Sequence, residues 1–336
     1  MKINTAIIGT GRIGFMLEED PFRYHPCTHA GTLKDLNRNQ KHFQFEITAA
    51  CDLQRERLDQ FQSWWQEGMN LETDYKKVFY NNEIDLLIIS SSFYSHYEIC
   101  RYALNQKVKA VVLEKPAAET AEQIQELIDL SEKNRIPVWV NFERRYHNGY
   151  RNVKKMIEHT PKEELRSITG KVLTGRVREG DEGSPILLDG IHWLDLLIWF
   201  FGLPDVSGAH KIDAQIPAMH DTVFAEMMYD DVLVHFEAGG RRRYFEFFME
   251  IDYEKTRVRT GNEGQFFHLT SPSERYKNFY ELKEEKIQIE MNNPWIDMYK
   301  EIVDYFLNPD EVALPITSPL QDSEQSMKLL ENILRR

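Results

Sequence analysis

Two stretches of the chain carry side chains suited to moving a proton on a substrate. In Leu113-Glu114-Lys115-Pro116 a lysine follows an apolar run, Val108 to Leu113, and so sits where a buried strand ends. An ammonium there must find an acceptor or lose its charge, and Pro116 keeps Lys115 out of the helical region and helps fix its direction. In the second stretch, "GSPILLDGIHWLDLLIWFFGL" from 183 to 203, a helix beginning near Leu188 sets Asp189, His192 and Asp195 three apart on one face, with Leu194, Leu197, Ile198 and Phe201 on another. A core helix seldom needs three ionisable groups on one side. A capping Asp189 with a satisfied core His192 is the other reading open at this point.

A third constellation is Gly9-Thr10-Gly11-Arg12-Ile13-Gly14, which fits GxGxxG. The first glycine permits a tight turn and the second lets the backbone approach a pyrophosphate. The third allows close packing of helix on strand, with N–H groups at Arg12 and Ile13 facing the anion. Asp52 ends the next apolar run, where an acid hydrogen-bonds the adenosine ribose and repels a 2′-phosphate, which favours NAD over NADP. Capping of the helix beginning "LQRERL" is the other role open to it, and Arg55 and Arg57 would soften the preference.

Stepping from these residues to their supports, residues 3 to 8, 45 to 51, 85 to 90, 108 to 113 and 138 to 140 are short apolar runs of the kind that form buried parallel strands. Helical stretches lie between them, most clearly 120 to 134, where Thr120 and Gln123 form a capping box. Alternating strand and helix predicts an α/β, doubly wound parallel sheet over 1–142. From 143 to 336 the pattern predicts an α+β domain with a large, mostly antiparallel sheet. Its terminal helices, 294–336, are free to pack back toward the first domain.

The interval from Gly14 to Asp52 exceeds the roughly twenty residues usual for this unit, so a loop is inserted at about Glu18 to Cys27, and "THAGTLKDL" restarts the helix with Thr28 as N-cap. His25, Cys27 and His29 have the chemistry of zinc ligands. A fourth ligand is not evident, and His29 has a place on the restarted helix. The expectation is therefore no metal, and a lid or substrate loop instead.

A net charge of −13 argues against a nucleic-acid surface, since Arg241-Arg242-Arg243 is the one dense basic run. Cys27, Cys51 and Cys100 form neither a disulfide framework nor a zinc spacing, which fits a reducing cytoplasm. "MKINTAIIGT" lacks the features of a signal peptide, and the most apolar stretch is broken by two Asp and a His, so no membrane span is expected.

Together these residues resemble the glucose/fructose oxidoreductase, inositol dehydrogenase and rhizopine-catabolism family, Gfo/Idh/MocA. The resemblance rests on GxGxxG at 9 to 14, Asp52, "NNEIDLLIISSSFYSH" at 81 to 96, Glu114-Lys115-Pro116, "VNFERRYH" at 140 to 147, and His192-x-x-Asp195. It implies an NAD(P)-dependent dehydrogenase or reductase acting on a secondary hydroxyl or ketone of a sugar, cyclitol or derivative. Lys115 would hold the reacting hydroxyl, and His192 would take its proton as hydride passes to nicotinamide. Asp195 would bind a neighbouring hydroxyl, Arg145 and Tyr146 match the end of the family's "NRRF", and Ser91, His96, Glu114 and Lys115 fall beside the cofactor. The sheet of the second domain would support a homodimer or homotetramer.

Three departures accompany the resemblance. The family acid four before the histidine is Leu188 here, with Asp189 one position later; Ser91-Ser92-Phe93 replaces Thr-Pro-Asn, which alters the approach of Tyr94 to substrate and nicotinamide; and the 18–27 loop is additional. Arg23, Arg144, Arg145, Arg176 and Arg178 suit a phosphorylated, acidic or nucleotide-linked substrate, though surface arginines explain them equally well. A non-catalytic NAD(H)-binding regulator of the same fold is the alternative.

Overall fold

A computed structural model describes the chain except for residues 67, 81–82, 176–183, 212–221, 241, 286, 309–316 and 336. Arg176, Arg178 and Arg241 therefore lie outside the described residues. The chain divides into two compact units, Met1–Tyr146 with Asn293–Glu324, and His147–Asn292 with Gln325–Arg336.

The first unit is built on a parallel sheet of β1 (Lys2–Ile8), β2 (Gln44–Cys51), β3 (Asn70–Glu72), β4 (Ile84–Ile89), β5 (Val108–Leu113) and β6 (Val138–Val140). Their order, β3-β2-β1-β4-β5-β6, reverses direction between β1 and β4, so the strand ends open a crevice at that switch point. Its connecting helices are α1 (His29–Asn39), α2 (Arg55–Trp65), α3 (His96–Leu104) and α4 (Ala121–Asn134). The strands read as continuous apolar runs because both faces are covered, and Ile7, Ile47, Leu86, Ile88 and Val112 are fully buried. Each such side chain contributes roughly 1.5–3 kcal/mol relative to exposure.

Helix α4 begins as its capping box predicts: the Thr120 hydroxyl accepts from the Gln123 N–H, although the Gln123 amide oxygen accepts from Glu119 instead of the cap residue. A late helix, α7 (Pro294–Leu307), also belongs to this unit. Pro294 occupies its first turn, Asn293 caps it, and Trp295, Met298, Tyr299, Ile302 and Val303 join the core formed by Ile3, Leu33 and Phe45.

In the second unit helix α5 (Asn148–His159) precedes β7 (Leu165–Leu173), and α6 (Ile191–Phe201) follows it. Then come β8 (Asp205–Lys211), β9 (Val223–Tyr229), β10 (Val232–Gly239), β11 (Glu246–Tyr253), β12 (Thr256–Gly261), β13 (Gly264–Pro272) and β14 (Tyr280–Glu285). The sheet order is β14-β13-β12-β11-β7-β10-β9-β8, antiparallel throughout except for the β7–β10 pair. Strand β11 alternates half-buried and buried positions, the signature of a sheet with one covered face. The last helix, α8 (Leu320–Arg335), has its first residues in the first unit and the rest in the second.

Candidate active site

The glycine turn leaves β1 at Gly9, whose φ of +98° only glycine adopts without strain. Glycine is needed at three positions for different reasons. A Cβ on Gly9 would lie 2.4 Å from the Ser90 and Ser91 backbone, and one on Gly14 would lie 2.2 Å from the Gly9 carbonyl oxygen. At Gly11, by contrast, nothing comes closer than an Arg57 guanidinium nitrogen at 3.6 Å. The turn is thus packed from below and open at its middle glycine, as a backbone that receives a pyrophosphate requires.

Asp52 pins this turn. Its Oδ2 accepts from the Thr10 N–H at 3.0 Å and the Thr10 hydroxyl at 3.2 Å, Oδ1 accepts from the Gln54 N–H, and Arg57 lies 3.8 Å away. The carboxylate is therefore buried and oriented before any ribose arrives. It does not cap α2, whose N-cap is Gln54.

Beyond the turn the helix is interrupted. Backbone bonds from Phe15, Met16 and Leu17 complete one turn, a short 3-10 segment Met16–Glu19 follows, and the chain loops out. Thr28 then caps α1 through the Gly31 N–H. The Ile13 carbonyl accepts from His29 N–H and the Gly14 carbonyl from Ala30 N–H, so α1 resumes the hydrogen-bond ladder begun at the turn.

At the end of β5 Glu114 is buried at the centre of a polar network. Its Oε1 accepts from Asn141 Nδ2 and lies 3.0 Å from His29 Nε2, while His29 Nδ1 lies 2.7 Å from the Tyr299 hydroxyl. Burial alone would push the Glu114 carboxyl up, but the bonds from His29 and Asn141 and the charge of Lys115 hold it below its ordinary value. The next residue, Lys115, is only partly buried, with its peptide N–H 3.3 Å from Glu114 Oε2. Glu143 approaches the same charges; burial pushes its carboxyl up, against the pull of Arg144 and Lys115.

His96 lies fully inside, with Nδ1 2.7 Å from the Pro116 carbonyl and Nε2 3.1 Å from the Ser91 carbonyl. Burial pushes its pKa down, and a neutral ring donates to one carbonyl at a time. It ties the ends of β4 and β5 together. Ser91 bonds Ser95, and Tyr94, 46% exposed, packs its ring against Phe93 at 3.9 Å and a tilt of 36°.

In the second unit a π-helical turn, Ile186–Gly190, carries partly exposed Asp189 into α6. Such turns are rare and frequent at functional sites. His192 is 7% exposed and Asp195 1%, with the Ser326 hydroxyl at the 3.5 Å limit from Asp195 Oδ1. Between them Trp193 anchors the helix. It stacks on Phe236 at 4.3 Å, donates from Nε1 to the Phe248 carbonyl at 2.9 Å, and occupies the space a side chain at Gly170 would fill.

Residues 3–142 match the Gfo/Idh/MocA model, described as an oxidoreductase family with an NAD-binding Rossmann fold. Over these residues the chain is similar to that oxidoreductase family. Inositol 2-dehydrogenase of Salmonella typhimurium is 26% identical over 194 residues, covering 57% of this chain and 46% of that protein. The chain thus matches about half the length of this curated relative.

Among solved structures, a 3-ketoreductase from Actinomadura kijaniata with TDP-benzene and NADP shares 16% identity at a TM-score of 0.76, covering 99% of this chain and 97% of that one. An oxidoreductase from Agrobacterium radiobacter with NAD+, L-tartaric acid and magnesium shares 16% identity at 0.73, covering 100% and 96%. At these identities the likeness establishes the fold. The family is NAD-binding, while its structural neighbours hold either NAD+ or NADP.

Within the first unit Gly9, Gly11, Arg12, Ile13, Gly14, Asp52, Ser91, Glu114 and Lys115 fall at the carboxyl edge of the parallel sheet or on the turns leaving it. Arg145 departs from the expectation of substrate contact. It is 1% exposed, and its guanidinium is bonded to Asp322 and the Thr317 carbonyl, because a buried cation needs a fixed acceptor. His96 likewise acts as a cross-tie, since both ring nitrogens face protein carbonyls. Sequence reasoning missed Asn141 and Tyr299. Asn141 stands within the quoted "VNFERRYH", whereas nothing in the sequence couples Tyr299 to His29.

Proposed function

We propose that the chain is an NAD(P)-dependent dehydrogenase or reductase acting on a secondary hydroxyl or ketone of a sugar, cyclitol or sugar derivative. The observation that carries this reading is the placement of Lys115 at the end of β5, with Glu114 fixed behind it and the glycine turn at the end of β1, two strands away in the same sheet. The glycine turn and Asp52 would hold the dinucleotide, which supplies the hydride acceptor or donor when bound. Lys115 donates a hydrogen bond to the reacting oxygen and favours its charged form. His192 takes the hydroxyl proton in oxidation and returns it in reduction, work suited to an imidazole near neutrality and worth roughly 10²- to 10⁴-fold. Asp189, Asp195 and Tyr94 orient the neighbouring hydroxyls. The oriented Asp52 carboxylate favours NAD over NADP.

The relative that acts on inositol and the neighbour crystallised with TDP-benzene support a carbohydrate-like substrate, nucleotide-linked forms included. No helix among the described residues is long and apolar enough to cross a membrane. The reading extends to a cytoplasmic homodimer or homotetramer formed through the sheet of the second unit.

The test is the near-ultraviolet absorbance of reduced nicotinamide, followed with NAD and with NADP against polyols, sugars, sugar phosphates and nucleotide sugars. Turnover with NAD on one of these classes is expected. Binding of NADH without turnover on any of them would favour the regulatory alternative.

A further inference from the structure

The inserted loop brings together three groups that the proposed chemistry does not use. Glu18 Oε1 lies 3.1 Å from His25 Nδ1, and Cys27 Sγ lies 3.8 Å from the same nitrogen; all three ligand atoms fall within 4.8 Å of one another. We propose that Glu18, His25 and Cys27 form a binding site for a divalent transition ion of the zinc class, with solvent completing the coordination.

Ligand chemistry and spacing agree. Tetrahedral zinc with bonds of about 2.0 Å to oxygen and nitrogen and about 2.3 Å to sulfur separates its ligand atoms by roughly 3.3 Å for O and N and roughly 3.6 Å for N and S. The observed separations lie within about two tenths of an ångström of both. The sequence reading counts His29 as the third ligand beside His25 and Cys27, but the fold sends it to Glu114 and Tyr299 instead. Glu18, at the far side of the loop, takes its place.

The surroundings orient each ligand. His25 Nε2 sits 2.9 Å from the Asp20 carbonyl, which only accepts, so in the tautomer that donates to it the Nδ1 lone pair points at the Glu18 carboxylate. In that tautomer a cation placed between Nδ1 and Oε1 satisfies both acceptors. Glu18 Oε2 is held by the Cys27 N–H at 3.1 Å and the Thr28 hydroxyl at 2.8 Å, which leaves Oε1 as a single ligand atom. A Cβ at Gly31 would lie 2.1 Å from Oε2, so the glycine admits the carboxylate. Cys27 Sγ lies 3.4 Å from the Leu17 carbonyl, a contact that its thiolate would give up. The Asp20 carboxylate pairs with Arg23 and the Phe22 N–H and stays outside the set. The His25 side chain is 35% exposed, which leaves room for water.

Cobalt(II) is the direct probe, added to the chelator-treated full chain and then displaced by zinc(II). Cys51 and Cys100 are buried, so a thiolate-to-cobalt charge-transfer band would report Cys27. The expected result is a saturable band displaced by zinc, absent in Cys27→Ser, with affinity reduced at least about tenfold in His25→Ala. Both variants leave Glu18 to support the α1 cap, and circular dichroism checks that they fold. No band in the wild type, or binding unchanged in both variants, would overturn the site and leave His25 as simply a hydrogen-bond partner of Glu18.

Discussion

The end of β5 and helix α6 each present an ionisable group for the proposed chemistry, yet they hold it by different means. Lys115 follows a carboxylate fixed by hydrogen bonds from side chains distant in sequence, Asn141 and His29, the latter backed by Tyr299. His192 stands on a helix fixed by apolar packing, with Trp193 against Gly170 and Phe236. A hydrogen-bonded support responds to pH and to the loss of a single atom. A packed support is indifferent to pH and responds to volume.

The largest expected effect is on the packed side. Trp193→Ala removes the anchor of α6 and should cost about 3–5 kcal/mol, seen as a lower midpoint in chemical unfolding and little changed between mildly acidic and neutral pH. If stability falls by much less, α6 is held by something other than Trp193.

On the hydrogen-bonded side, Glu114→Gln should cost roughly 1.5–3 kcal/mol at neutral pH, because a charge-assisted network loses its centre. The pH dependence sharpens the contrast. Glu114 has a folded pKa below its ordinary value, so its contribution is present above the unfolded pKa and is lost as pH falls through the folded one. Unfolding free energy measured across the acid range should therefore fall less steeply in Glu114→Gln than in the wild type. Parallel acid limbs would remove Glu114 from this role.

The smallest effect belongs to the outer end of that network. Tyr299→Phe deletes the hydroxyl facing His29 and keeps the ring in the core, so a loss of about 1 kcal/mol is expected. A calorimetric comparison with Trp193→Ala would separate the two modes of support. A penalty for Tyr299→Phe as large as that for Trp193→Ala would collapse the distinction.

The same contrast explains what was legible in the sequence. Strands β5 and β6 match the apolar runs residue for residue, since burial on both faces leaves an unbroken signal. Helix α6 was visible too, because packing periodicity is local, but the sequence starts it near Leu188 and so counts Asp189 on its face, where the structure begins it at Ile191. The π turn before it was not visible, as it leaves no mark in the apolar pattern. Long-range hydrogen bonds were invisible: His29 and Tyr299 are 270 positions apart, and neither side chain's type names the other. Arg145 shows the converse error, a motif residue expected at the substrate that Asp322, 177 positions away, holds in the interior. In the loop, Glu18 was passed over because an acid in a polar stretch looks like solvated surface.

We propose that Lys115 and His192 act on one substrate, and a double-mutant cycle on kcat/KM with Lys115→Met, His192→Ala and the double variant probes this, with NADH affinity measured alongside. His192→Ala should fall by roughly 10²- to 10⁴-fold with NADH binding intact, and the double variant should be little worse than the weaker single one. A His192→Ala variant with wild-type kcat/KM would contradict the proposal.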